Sequence, residues 1–594
     1  MKTWTGWMGR VGALGGCLLF VSLSIAGCKT EENLPPPIWT QEDALPPLSG
    51  GTLLVTKGQI RAVASDPDTN VIWTARLDTG VREHVIELKK GDEPGRLVES
   101  SDGKVHVALR GSGEIATIDP TLGKLIRRTP VCQMPRGVDY SAESDKVIVG
   151  CAEGKIVTFA AKTGIISTSL TVENDVRDVF YHNGHFIMTR LRSAELITVD
   201  AYGQEIDRAK PVEVQLPFKN ALDQTTEATF FPTVAWRTAK MPDGSFLMVH
   251  QRASTAPVEV KESNGYASNN DSCAGIVHAA IARFNVDEFG QIQDPAATWA
   301  RLGGALPVDI MADTDEDSMT VVAAGSRHLL TVSGPVLSQK YASCVAGVPV
   351  ESGMPVGVSE SNGQLVVLLR SPIAIEVPER SVRIQLDRTA VNRGHALFHL
   401  APNGMVACAS CHPEGREDGH VWNFATIGPR RSQSLRGGIQ RTLPLHWDGD
   451  MANMHEIVSE VLVNRMGGSM PSAEEELALA NWIEALPKLA PLRDPEDESA
   501  LRGKDIFERD DVGCLACHSG EYLTNNRNEN VGLENILQVP SLRGVAWRTP
   551  LMHHGCAKTL AERFDPDCGG AKHGHTDQLS AKELADLIAY LESL

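Results

Sequence analysis

The sequence carries no surplus of positive charge. Its 56 Lys and Arg stand against 75 Asp and Glu, a formal net charge of −19, so the surface favours solubility and offers no basic field to nucleic acid. No nucleic-acid partner is expected. Long hydrophobic runs are equally scarce. With a mean hydropathy of −0.15 the chain has no room for several membrane spans, and its one extended apolar stretch lies at residues 11–25. Helical periodicity is missing from about residue 51 to residue 378, which excludes an all-helical protein. At 594 residues the chain exceeds what one hydrophobic core usually serves, so several domains are expected.

What is present begins at the N-terminus. Lys2 and Arg10 flank the start of the apolar stretch, which runs into Leu23-Ser24-Ile25-Ala26-Gly27-Cys28, the layout of a secretory signal over residues 1–27. This ending resembles the bacterial lipobox, which implies a lipid on Cys28 that anchors the mature chain to a membrane of the cell envelope. By the same family rule Lys29 leans towards the outer membrane, facing the periplasm. Residues 28–50, rich in Pro and acidic side chains, read as a tether. Of the 12 cysteines, Cys17 leaves with the signal, Cys28 takes lipid, and four lie in two motifs described below. The other six form sequence-local pairs, Cys132 with Cys151, Cys273 with Cys344 and Cys556 with Cys568, which an oxidising compartment permits to bond.

Residues 51–380 show short β-branched runs separated by Gly, Asp and Asn. Three pairs of runs align as a repeat: Val105-His-Val-Ala-Leu with Glu114-Ile-Ala-Thr-Ile-Asp, Val147-Ile-Val-Gly-Cys with Lys155-Ile-Val-Thr-Phe, and His185-Phe-Ile-Met-Thr with Glu195-Leu-Ile-Thr-Val-Asp. A period of about 40 residues with paired strands matches one four-stranded propeller blade, and the length predicts about seven blades. The pattern resembles the YVTN-type propellers; a pair of β-sandwiches is the alternative. Residues 218–285, Asn-rich in part, are expected to hold a long inserted loop.

Beyond residue 380 the character becomes helical, with segments at 393–398, 473–486, 501–507 and 581–594. A Pro-rich stretch at 487–495 separates a first domain, 388–490, from a second, 496–594. Each repeats an Arg-Gly helix, a Cys-x-x-Cys-His motif, a Ser-Leu-Arg-Gly element and a His-containing turn, which points to duplication. In Cys408-Ala409-Ser410-Cys411-His412 and Cys514-Leu515-Ala516-Cys517-His518, the two cysteines are spaced to reach the two vinyl groups of one haem and the His to ligate its iron. Two covalent c-type haems are therefore predicted, with His412 and His518 as axial ligands. A zinc knuckle would need further Cys or His pairs nearby, and thioredoxin-type chemistry a βαβ setting; the chain offers neither clearly.

Residues 390–594 resemble the di-haem cytochrome c peroxidase and MauG family. The resemblance rests on Gly419-His420-Val421-Trp422, Gly428-Pro429-Arg430, Trp447-Asp448-Gly449, Arg465-Met466-Gly467, Pro540-Ser541-Leu542-Arg543 and Pro550-Leu551-Met552-His553. It implies two mainly α-helical cytochrome c-like domains of unequal task. One haem handles electrons, the other meets hydrogen peroxide, and Trp447 assists transfer between them. It also implies a Ca²⁺ between the domains, and a small redox protein or a protein substrate as electron donor. For the first iron the family position favours His420 as second axial ligand, with Met466 as the alternative. For the second, the family's Met or Tyr is missing between Gly555 and Ala589, which leaves His573, with His575 as the alternative. Where the peroxidases carry an acidic residue this chain has Arg465, which stays cationic and can only stabilise departing charge. His455 is then the expected base. Two functions remain open at this point: a peroxidase- or MauG-like enzyme, and an electron carrier whose propeller docks a redox partner.

Overall fold

A computed structural model describes residues 44–594 except 220–224, 261–265, 267–272, 274, 294–298, 313–317, 335–343, 389, 403–404 and 533–535. The predicted signal, Cys28 and most of the tether lie outside the described residues. Among those described, no helix is long and apolar enough to cross a membrane.

Seven β-sheets follow one another from Leu53–Val55 to Val382–Gln385, six of them four-stranded and one larger. Their first full-length strands contact one another in sequence, and Pro355–Ser361 of the last sheet contacts Leu53–Val55 of the first. The ring is closed, a propeller and not a pair of sandwiches. The repeated runs are the second and third strands of the second, third and fourth blades. Blade-on-blade stacking covers both faces of these inner strands, and every residue of Val105–Leu109 is buried. The outermost strand Lys124–Pro130 is open to water, with Lys124, Leu125, Ile126 and Pro130 exposed and only Thr129 buried.

Within 218–285, where a long inserted loop is expected, Thr225–Lys240, Phe246–Ser254 and Val277–Val286 are strands, and residues 220–224, 261–265, 267–272 and 274 lie outside the described residues. Thr225–Lys240 spans 16 residues. Its second half pairs with Phe246–Ser254 inside the fifth blade, and its first half pairs with Val214–Lys219, so the ladder runs on past the blade. From this extension the chain reaches the helical half, where Val258 bridges Phe424.

The helical half forms where local signals agree. Ser472 and Glu475 cap Ala473–Glu484 reciprocally, and Ser580 and Glu583 repeat the device on Ala581–Glu592. Each capped helix packs against the Arg-Gly helix of its own domain, Arg393–His399 or Glu498–Phe507. The two glycines make that approach possible, because a Cβ on Gly394 would collide with the Ala478 carbonyl and one on Gly503 with the Asp586 carbonyl.

Residues 44–50, assigned to the tether, are instead packed. Leu48 is buried, its N–H donates to His399 Nε2 (3.3 Å), and Trp482 Nε1 donates to Leu45 O (2.9 Å). Apolar Leu45 and Leu48 have a helical surface to cover, and the composition of the segment did not reveal it.

Candidate haem sites

Cys408 and Cys411 lie on a single helical turn that leads into His412. They open on a cavity of about 310 Å³ whose apolar wall includes Phe398, Met454, Leu462 and Ile483, at the lower end of the range for ligand pockets. Burial drives the His412 imidazole down to about 4, so it is neutral and keeps a lone pair for a metal. Arg431, Arg436 and Arg548 also line the cavity. Among the described residues their hydrogen bonds go to main-chain carbonyls, including Met552 O (2.9 Å), Glu414 O (3.1 Å) and Ser541 O (2.7 Å). Burial pulls Arg431 and Arg436 down to about 10. Buried cations without a carboxylate partner are costly, and a ligand carrying two carboxylates would supply the missing charge. An apolar slot with a thiol pair, a neutral imidazole and cations of this kind fits a haem with its propionates.

The opposite wall is built on a widened helix. Met454–Ile457 continues as the π-helix Val458–Arg465, a geometry that recurs at functional sites. It presents Leu462, Arg465 and Met466 to the cavity. The expected second ligand His420 is not there. Its Nε2 lies 3.3 Å from Ser254 O and its ring packs edge-on against Trp422 at 4.6 Å, so the cavity-lining Trp422 stands in its way. His455 is also misplaced as a base: its Nδ1 faces Glu476 Oε2 at 3.0 Å on the surface, with 62% of its side chain exposed. One helical residue separates a surface position from the buried Met454, and spacing alone did not resolve it. In their stead stands Tyr266 of the fifth-blade extension. Its N–H donates to Arg465 O (2.9 Å) and its hydroxyl oxygen accepts from Arg465 Nη1 (3.3 Å).

At the second motif, His518 Nδ1 lies 3.1 Å from Leu523 O, a contact that fixes the tautomer and leaves Nε2 free for a metal. His573 faces it. The two ring centres are 6.1 Å apart with planes 29° from parallel. Two imidazole nitrogens about 2 Å from a shared metal, with ring centres about 1 Å further out, give roughly 6 Å. The spacing fits one iron between two imidazoles. Burial pushes His518 to about 4 and His573 well below its ordinary value, keeping both neutral, whereas His575 is exposed. The haem-motif cysteines 408, 411, 514 and 517 are the free cysteines among the described residues, while Cys132–Cys151, Cys273–Cys344 and Cys556–Cys568 are disulfides.

Trp447 lines the first cavity where the two halves meet. Its Nε1 donates to Arg431 O (2.9 Å), and its ring lies 6.3 Å from that of His553. Pro540 of the second half lines the same cavity and turns its carbonyl towards His518. No acidic cluster suited to the expected Ca²⁺ is found among the described residues; the one Cys/His/acid group close enough to hold a metal is Cys132, Cys151 and Glu153, whose cysteines are disulfide-bonded.

The loop after His412 plugs into the propeller. Glu414 pairs with Arg177 (2.5 Å) and Arg136 (3.0 Å), Arg416 with Asp175 (2.8 Å), and Glu417 with Arg192. The guanidinium of Arg416 also lies over the Trp547 ring of the second half at 5.2 Å. Sequence reasoning missed these partners and Tyr266. The one available signal for Tyr266 was an aromatic residue in a polar, Asn-rich insertion.

Residues 500–594 match the cytochrome c family, which implies a covalent c-type haem on the second motif. Over 292 residues, 37% of this chain and 82% of the relative, the sequence is 25% identical to hydrazine synthase subunit gamma of Kuenenia stuttgartiensis. Over 296 residues, 38% of this chain and 83% of the relative, it is 21% identical to cytochrome c551 peroxidase of Nitrosomonas europaea. A solved structure of Kuenenia stuttgartiensis hydrazine synthase aligns over 56% of this chain and 96% of its own, with 13% identity and a TM-score of 0.42. The cytochrome c domain and the two sequence relatives support a haem oxidoreductase.

Proposed function

We propose that the chain is a di-haem c-type cytochrome of the cell envelope that reduces hydrogen peroxide at its first haem and passes electrons through its second. The asymmetry of the two sites carries this reading. In the second, the rings of His518 and His573 face each other 6.1 Å apart, which supports a six-coordinate electron-transfer centre. The first has His412 on one side and Arg465, Met466 and Tyr266 on the other, and the second imidazole at its wall, His446, is engaged at Nδ1 with Asp450 Oδ1 (3.2 Å).

When bound, the first haem supplies an iron at which peroxide takes up two electrons and two protons to give two waters. The protein's part is to orient and to exclude. Cys408, Cys411 and His412 would hold the group, Arg431, Arg436 and Arg548 would meet its carboxylates, and Leu462 and Phe398 would keep bulk water out. Arg465 offers positive charge where an oxygen leaves. Trp447 and Pro540 join the halves, so electrons from a small redox protein or a protein substrate reach the first site through the second. The export signal, a lipid on Cys28 and an outer-membrane or periplasmic location complete the reading.

The test is the diferric protein's electron paramagnetic resonance spectrum with a peroxide-consumption assay. One low-spin bis-imidazole signal, one high-spin signal and peroxide-dependent oxidation of a reduced donor are expected. Two low-spin signals without peroxide turnover would establish the second reading, an electron carrier, which the position of Met466 at the cavity wall favours.

A further inference from the structure

We propose that Tyr266, supplied by the propeller, is the hydrogen-bond donor that holds a small oxygen- or nitrogen-centred ligand in the first haem cavity. The inference rests on the proposed reading that this haem keeps a face open to ligands. Tyr266 is 8% exposed and lines the cavity together with Arg465. It is pinned at both ends of its backbone, its N–H on Arg465 O and its carbonyl receiving Ile276 N–H (3.3 Å).

Its hydroxyl geometry gives the direction. A phenol has one O–H to donate and an oxygen that accepts. Arg465 Nη1 already donates to that oxygen, and no acceptor for the Tyr266 O–H is found among the described residues. The cavity is what remains for the proton to face. Arg465 also fastens the phenol and polarises it, so an electron-rich ligand atom meets a neutral donor backed by a cation. Burial raises the phenol's pKa, which keeps the proton on the oxygen at neutral pH. The cavity is thus completed by the propeller, and its polar wall is made by two parts of the chain 199 residues apart in sequence.

Fluoride is the probe, since on ferric haem it is an anionic acceptor that depends on nearby donors. The full-length holoprotein is titrated with fluoride and followed by its optical spectrum. Tyr266→Phe is expected to weaken fluoride binding about tenfold to a hundredfold. Placing 3-fluorotyrosine at position 266, a stronger donor of nearly the same size, is expected to tighten it. A merely structural tyrosine would not produce that rise. If the second haem's low-spin signal is unchanged in both variants and their fluoride affinities stay within twofold of the parent's, the inference is overturned and the peroxidase reading survives. If the parent itself binds no fluoride, the open-haem reading falls, and this inference with it.

Discussion

Replacing Glu414 by Gln tests the join between propeller and haem loop. Glu414 is 2% exposed and holds Arg177 at 2.5 Å and Arg136 at 3.0 Å, while Arg177, 1% exposed, keeps Trp236 O (2.9 Å) and Ser49 O (2.6 Å). Glutamine has the same shape but no charge, and its amide group meets a guanidinium. Breaking a buried pair by removing one partner costs about 3–5 kcal/mol, because the other charge stays buried. At about 1.4 kcal/mol per decade, the local opening of the loop becomes roughly 10²- to 10³-fold more frequent. Hydrogen exchange reads this directly, through the amides of Gly415 and Arg416, which are bonded to His412 O and Pro413 O at 2.9 Å each. In the regime where exchange follows the opening equilibrium, both amides should accelerate by that factor while the strands of the first blade do not. The double variant Arg177→Leu/Glu414→Leu should recover part of the protection, with Arg136 still unpaired. An acceleration under fivefold for Glu414→Gln would refute the reasoning, since the pair would then contribute no more than an exposed one.

His573→Ala should convert the low-spin signal of the second haem to high spin, with His575→Ala leaving it unchanged; the reverse pattern would exchange the two assignments. His106 is fully buried between Thr117 Oγ1 and Ser100 Oγ, both at 3.1 Å, and burial lowers its pKa from 6.5 to about 4. Above pH 6.5 it is neutral folded or unfolded, and below that the unfolded chain takes the proton first, so stability is lost as pH falls to about 4, by up to about 3 kcal/mol. His106→Gln should flatten that part of the stability curve measured by urea unfolding. Gly503→Ala should cost about 1–3 kcal/mol through overpacking against the Asp586 carbonyl, seen as earlier thermal loss of the second domain's helical signal. Trp447→Phe leaves the Arg431 carbonyl without its donor and should slow electron transfer between the halves at least tenfold after rapid reduction of the second haem. An unchanged rate would assign the route to Pro540.

The elements were legible where the signal is local. Period-40 strand pairs, the Ser-x-x-Glu caps at Ser472 and Ser580, and the doubled Arg-Gly helices act through near neighbours, and each sits where the sequence indicates. The haem motifs belong to the same class, since three side chains within five consecutive residues carry the chemistry. Ligand geometry across the cavity was not local. His420 and His455 lie close in sequence to cavity residues, yet a strand and a helix turn their rings away. His573 faces His518 with its carbonyl accepting a hydrogen bond from Arg563, ten residues away. Tyr266 and the arginine partners of Glu414 and Glu417 come from blades some 150 to 280 residues away, a separation at which spacing carries no information.

The plugged loop also imposes a sequence in time. On the proposed reading, thioether bonds at Cys408 and Cys411 form only while both thiols can reach the porphyrin edge, and in the finished molecule Tyr266 and Ile276 wall that cavity while the Arg136–Arg177–Arg192 socket holds the loop that follows it. The porphyrin must therefore be fastened before the halves come together. The propeller leaves the ribosome first, so it has to wait with its charged socket still hydrated until the later-made half arrives loaded.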